Sequence, residues 1–184
     1  MLDTCEAYGK EWCLSYNPSK SKVVIFGSSR DFPSLKMYGK ELSFADELNY
    51  LGVTVVAGSS FSSSHVKPLI RFRSSVNAIL NVPTRSSEPM LMKLLYSICV
   101  PHLTYSCEVI SYASRQMQPL NVAMNDSIRR IFGYNRWESV RHLRTSFCYP
   151  SIEEVFASRS RKFHSRLTSI SNLTLHRLAE LNLH

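Results

Sequence analysis

The sequence predicts an α+β protein in which a small antiparallel β-meander is followed by a bundle of helices. Three observations carry this expectation. Short β-branched and aromatic runs separated by glycine and proline fill roughly the first sixty residues. From about Phe61 the apolar residues recur at steps of three and four instead. The charge divides at nearly the same place. Residues 1–64 carry 6 basic and 7 acidic groups, whereas residues 65–184 carry 16 and 7, a net of +9. The boundary is therefore expected between a domain of residues 1–60 and one of residues 61–184.

Taken in order, Leu2 to Trp12 reads as the end of a helix, weakened by Gly9. After Asn17-Pro18, the run Lys22 to Phe26 predicts a strand stopped by Gly27-Ser28-Ser29. Leu35 to Tyr38 and Glu41 to Phe44 read as two short strands around a two-residue turn opened by Gly39. Asn49 to Val56 predicts one further apolar strand. Helical stripes follow at Leu69, Phe72, Val76 and Ile79, then at Leu91, Leu94, Leu95 and Ile98. Two more run through Leu120, Met124, Ile128 and Ile131, and through Ile152, Phe156, Phe163, Leu167 and Ile170. Pro83, Pro101, Gly133 and Pro150 separate them. Ser151-Ile152-Glu153-Glu154 is a capping box, in which Ser151 and Glu154 satisfy each other's free backbone donors.

Composition excludes several classes. With 44% hydrophobic and 20% charged residues, the chain can form a core and is not compositionally disordered. The first residues lack the basic and apolar regions of a secretory signal. The longest apolar stretch, Met90 to Val100, is interrupted by Lys93 and is too short to span a membrane. Five cysteines at irregular spacing argue against a disulfide framework and suit a reducing compartment. The expected location is therefore intracellular, cytoplasmic or nuclear, and the sequons at Asn125 and Asn172 are read as chance matches. Cys99, His102 and Cys107 offer three zinc-type ligands without a fourth, so buried core cysteines are expected and no metal site. The excess positive charge points to a polyanionic partner; a basic protein without one is the alternative.

Three patches carry a resemblance. Asn17-Pro18-Ser19-Lys20-Ser21 resembles the Asn-x-x-Lys-Ser/Thr segment that follows the catalytic centre in the palm of non-LTR retrotransposon reverse transcriptases. Tyr50-Leu51-Gly52 is similar to the strand that closes that palm and bears on the primer end. Ile131 to Trp137 (Ile-Phe-Gly-Tyr-Asn-Arg-Trp) looks like the helical region after the palm. The resemblance implies that residues 1–60 correspond to the end of a palm and residues 61–184 to a thumb or connection region.

That family's two-metal chemistry requires aspartates on a hairpin upstream of the Asn-x-x-Lys-Ser segment, with magnesium as the ion. Only sixteen residues precede Asn17, so the catalytic strands are expected to be missing, with no metal bound by this chain. The missing palm and fingers would then be a partner. Phe44-Ala45-Asp46-Glu47 lies after Lys20 and has glutamate where the second aspartate belongs, so Asp46 is read as part of a solvated turn. By resemblance, Lys20 would stand on the pyrophosphate side, and Tyr50, Leu51 and Gly52 at the primer end. Alternatively, Lys20 is a surface lysine, and Tyr50 and Leu51 pack along a buried edge of the meander.

The expected contacts to template–primer nucleic acid are Arg129, Arg130, Arg136, Arg141 and Arg144, then Arg159, Lys162 and Arg166 along one flank of the capped helix. Guanidinium forks match phosphate oxygens, and planar rings can stack on unpaired bases. Phe132 and Trp137 are nevertheless expected to pack inward. The function expected is that of a non-catalytic reverse transcriptase fragment. A helical protein-interaction module, or the functionless product of a decayed element, is the alternative.

Overall fold

A computed structural model of the protein describes residues 1–27, 32–82, 87–110 and 112–169. Ser28, Ser29, Pro83, Ile170 and the sequon at Asn172 lie outside them. The architecture is α+β, and the chain divides into two compact units, Met1–Ser64 and His65–His184.

The first unit opens with helix α1 (Leu2–Glu11), with Asp3 in its first turn and Lys10 in its last, signs that suit the helix dipole. Gly9 is buried there for a reason the sequence does not show. The chain folds back so that Leu14 N–H donates to Gly9 O at 2.8 Å. A Cβ on Gly9 would stand 2.7 Å from Leu14 O and 2.8 Å from the Tyr38 hydroxyl oxygen. The glycine thus permits a close approach.

Strands β2 (Lys36–Met37) and β3 (Lys40–Glu41) form a hairpin whose turn is Tyr38-Gly39, not one opened by Gly39. Both turn residues have positive φ, 50° and 73°, the pairing that a two-residue turn needs to match strand twist. Tyrosine is held in this unfavourable region by Glu6, whose Oε1 accepts the Tyr38 N–H at 2.5 Å. β1 (Lys22–Val23) is shorter than the expected strand and pairs in parallel with β4 (Ser43–Phe44), Lys22 opposite Ser43. Phe26 bridges Gly58, again in parallel. The β2–β3 hairpin lies within the long crossover that parallel pairing requires.

The antiparallel meander is β5 (Glu47–Tyr50), β6 (Val53–Val56) and β7 (Ser62–Ser63), in that order. The single strand expected over Asn49 to Val56 is corrected here. The chain reverses at Leu51-Gly52, with φ of 48° and 82°, and Tyr50 faces Val53 in register.

The second unit contains helices α2 (Val66–Leu80), α3 (Glu88–Leu94), α4 (Val100–Thr104), α5 (Ser114–Phe132), α6 (Arg141–Ser146) and α7 (Ile152–Ser169). Phe72, Val76 and Ile79 of α2 meet Leu120, Met124, Ile128 and Ile131 of α5 in one core with Ile152 and Phe156 of α7. Each fully buried side chain of this size stabilises by about 2 kcal/mol. α5 ends at Gly133, whose φ of 67° is the left-handed stop that glycine adopts without strain.

Between α3 and α4, residues Leu95–Cys99 form a π-helical turn, closed by Val100 N–H donating to Leu95 O. Pro101 follows immediately; it has no N–H and crowds the preceding turn, and the wider turn accommodates it. Met92, Leu95 and Cys99 are buried, whereas Ile98 of the expected stripe is 47% exposed.

Candidate nucleic-acid interface

Local chemistry explains the Asn-x-x-Lys-Ser segment. Asn17 Oδ1 accepts from Ser19 N–H at 3.0 Å and from the Ser19 hydroxyl at 2.7 Å. Asn17 O accepts from the Ser21 hydroxyl at 2.9 Å and from Ser21 N–H at 3.1 Å. Asparagine and serine thereby tie Pro18-Ser19-Lys20 into a tight turn that leaves Lys20 exposed. Tyr50, Leu51 and Gly52 form an exposed hairpin tip, with Tyr50 at 64% and Leu51 at 73% exposure, so neither packs along a buried edge.

The magnesium chemistry implied by the resemblance requires clustered carboxylates. Among the described residues, no three His, Cys, Asp or Glu side chains come together to hold a metal ion. Asp46 lies exposed in a bend. Cys99 and Cys107 are buried as small apolar groups, and burial pushes both thiols up, against hydrogen bonds from Ser75 and Arg159 respectively.

The cations of the second unit divide by what they touch. Arg129 donates to Asp126 Oδ1 at 2.8 Å and to Glu138 O at 2.9 Å. Arg130 donates to Asn77 Oδ1 at 2.9 Å. Arg144 has a buried Nε without a hydrogen-bond partner among the described residues. Arg136 and Arg141 are exposed.

On α7 the charges converge. Helix direction is set by the capping box, with Ser151 N–H donating to Glu154 Oε2 at 2.6 Å and Glu154 N–H to Ser151 Oγ at 3.2 Å. The Ser151 N–H, and after it the Ser151 hydroxyl, hold the Glu154 carboxyl below its ordinary range. Two turns further on, an open groove of about 880 Å³ is lined by Arg159, Arg161, Lys162 and Arg166, with Ser158, Ser165 and Glu108. Arg159 braces the groove wall, donating to Thr104 O at 3.2 Å and standing 3.7 Å from Glu108 Oε1. Arg161, Lys162 and Arg166 are exposed. Arg161 was not among the flank residues expected from the sequence. Its place beside Lys162, rather than three or four positions from it, hid it.

Trp137 corrects the inward packing expected of it. Phe132 is half-buried against the core, but the Trp137 ring is 88% exposed. It sits on the link between α5 and α6, with the Arg136 guanidinium 5.5 Å from its centroid.

No family model matches the sequence, and no solved structure matches it. The RNA-directed DNA polymerase from mobile element jockey of Drosophila funebris is 26% identical over 182 residues, covering 96% of this chain and 20% of that protein. The chain thus spans about a fifth of this relative's length. Among the described residues, no helix is long and apolar enough to cross a membrane. The resemblance to non-LTR retrotransposon reverse transcriptases, carried by three short patches of sequence, therefore extends along nearly the whole chain.

Proposed function

We propose that this chain is the palm-closing and thumb segment of a retrotransposon reverse transcriptase, without a catalytic centre of its own, and that its helical unit grips template–primer nucleic acid by the backbone. The observation that carries this reading is the groove on α7, where three exposed cations and the braced Arg159 stand against the single carboxylate of Glu108. Such an array matches a run of phosphates, contacts that position a nucleic acid without carrying sequence information. Arg130, Arg136 and Arg141 extend the positive surface, whereas Arg129 is engaged by Asp126 and the Glu138 carbonyl. By resemblance, Lys20 takes the pyrophosphate side and the tip Tyr50-Leu51-Gly52 the primer end.

The test is the affinity of the purified chain for a labelled template–primer duplex as salt is raised. Four neutralised phosphates give a slope of log affinity against log salt of about −3.6. Binding that is absent, or insensitive to salt, refutes the grip. Primer extension with added magnesium tests the other half: no nucleotide incorporation is expected, and genuine incorporation refutes it.

A further inference from the structure

Trp137 lies in a link that is built rather than loose. Glu138 Oε2 accepts the Asn135 N–H at 2.6 Å, and Glu138 N–H donates back to Asn135 O at 3.1 Å. Glu138 O in turn accepts from Arg129 Nε at 2.9 Å, which ties the turn to the end of α5. On either side, Phe132 contacts Phe147 and Tyr134 stacks on His142. The neighbouring rings are therefore used internally, and the largest ring is the one turned outward.

An indole exposed to this extent leaves most of its apolar surface in water, an unfavourable placement that a fixed turn maintains. Its surroundings are strongly cationic. Residues 129–144 contain five arginines and one glutamate, and that glutamate's carboxylate already accepts a backbone N–H. Arg136 covers the ring from one side, where cation–π attraction orients both groups. A planar ring carried on a fixed turn beside the Arg136 guanidinium matches a nucleotide with its base unpaired: the ring takes the base and the guanidinium takes the phosphate.

We propose that Trp137 is a stacking platform for an unpaired base, so that the link between α5 and α6 binds single-stranded nucleic acid where the α7 groove binds phosphates of a duplex. This deepens the nucleic-acid reading above and rests on it. An apolar protein partner is disfavoured by the Arg136 guanidinium on the ring, which such a partner would have to desolvate.

The experiment uses the full chain in a Trp12→Phe background, so that emission reports Trp137 alone. Oligothymidylate is expected to quench that emission, and a blunt duplex of the same length to leave it largely unchanged. Trp137→Ala is expected to weaken oligothymidylate binding about 5- to 150-fold, the stacking of one base. Trp137→Phe should restore most of the loss, and the salt slope should not change, because the indole neutralises no phosphate. Unquenched emission, or equal affinity of Trp137→Ala and the parent, overturns the proposal. So does an unchanged oligonucleotide affinity accompanied by loss of self-association in sedimentation, which would make the ring a protein contact. If duplex binding and its salt slope persist in those cases, only the platform falls. If neither nucleic acid binds, the grip falls with it.

Discussion

Replacing Gly9 with alanine sets two effects of opposite sign against each other. In a helix interior, alanine is favoured over glycine by about 1 kcal/mol, so α1 considered alone gains stability. The structure places the new methyl 2.7 Å from Leu14 O and 2.8 Å from the Tyr38 hydroxyl oxygen. The hydroxyl is the end of a side chain and can withdraw, but Leu14 is tied to Gly9 O through its own N–H and has little room to move. Overpacking of this kind costs about 2 kcal/mol, leaving a net loss of about 1 kcal/mol. In a unit of this size that lowers Tm by about 4–8 °C. Thermal unfolding followed by circular dichroism and by Trp12 fluorescence measures it. Tyr38→Phe, which removes one of the two obstructing atoms, should make Gly9→Ala less damaging than in the parent. A Tm that rises with Gly9→Ala, as helix propensity alone requires, would refute the close approach as the reason for this glycine.

Three further outcomes are expected. Leu51→Asn should stabilise the first unit by about 1 kcal/mol in urea unfolding, because asparagine tolerates the positive φ that leucine adopts there only under strain; a destabilised variant would contradict the turn geometry. Ser151→Ala should destabilise the second unit by about 1 kcal/mol through loss of the α7 cap, and an unchanged unfolding midpoint would show that the cap contributes nothing. The Tyr96 phenol is pushed up to about 12 by burial, with its hydroxyl donating to Pro150 O at 2.9 Å. Its contribution is therefore intact below pH 10 and is lost as pH rises from 10 to about 12, where the unfolded chain ionises first. In absorbance titration of the folded protein, Tyr96→Phe should remove a tyrosinate transition late in that window; removal of one near 10 would contradict the burial.

The helical unit was largely legible because its packing is periodic. The Phe72-Val76-Ile79 and Leu120-Met124-Ile128-Ile131 stripes name the core directly, and Ser151 with Glu154 marks a helix start that forms as the spacing requires. The exceptions are local. Around Pro101 the buried stripe runs through Met92, Leu95, Cys99 and Leu103, also at steps of three and four, so the period alone did not choose it over the stripe through Leu91, Leu94 and Ile98. In the first unit, Tyr50 to Val56 is uninterrupted by any ordinary turn residue except Gly52, so the reversal at Leu51 is disguised as strand. Parallel pairing of Lys22-Val23 with Ser43-Phe44 joins residues about twenty apart and leaves no mark in either segment.

The candidate site shows the same division. Residue type pointed to the basic residues, but only contacts distinguish Arg129, engaged by Asp126 and Glu138, from Lys162 and Arg166, which are exposed on α7. Trp137 lies between helices, where no period applies, and its outward placement depends on the Asn135–Glu138 turn.

The proposed electrostatic grip on nucleic acid is tested most directly by the salt dependence of duplex binding in the triple variant Arg161→Ala/Lys162→Ala/Arg166→Ala. Removing three of four phosphate contacts should shallow the slope of log affinity against log salt from about −3.6 to about −0.9. An unchanged slope at unchanged affinity would show that α7 does not hold the phosphates.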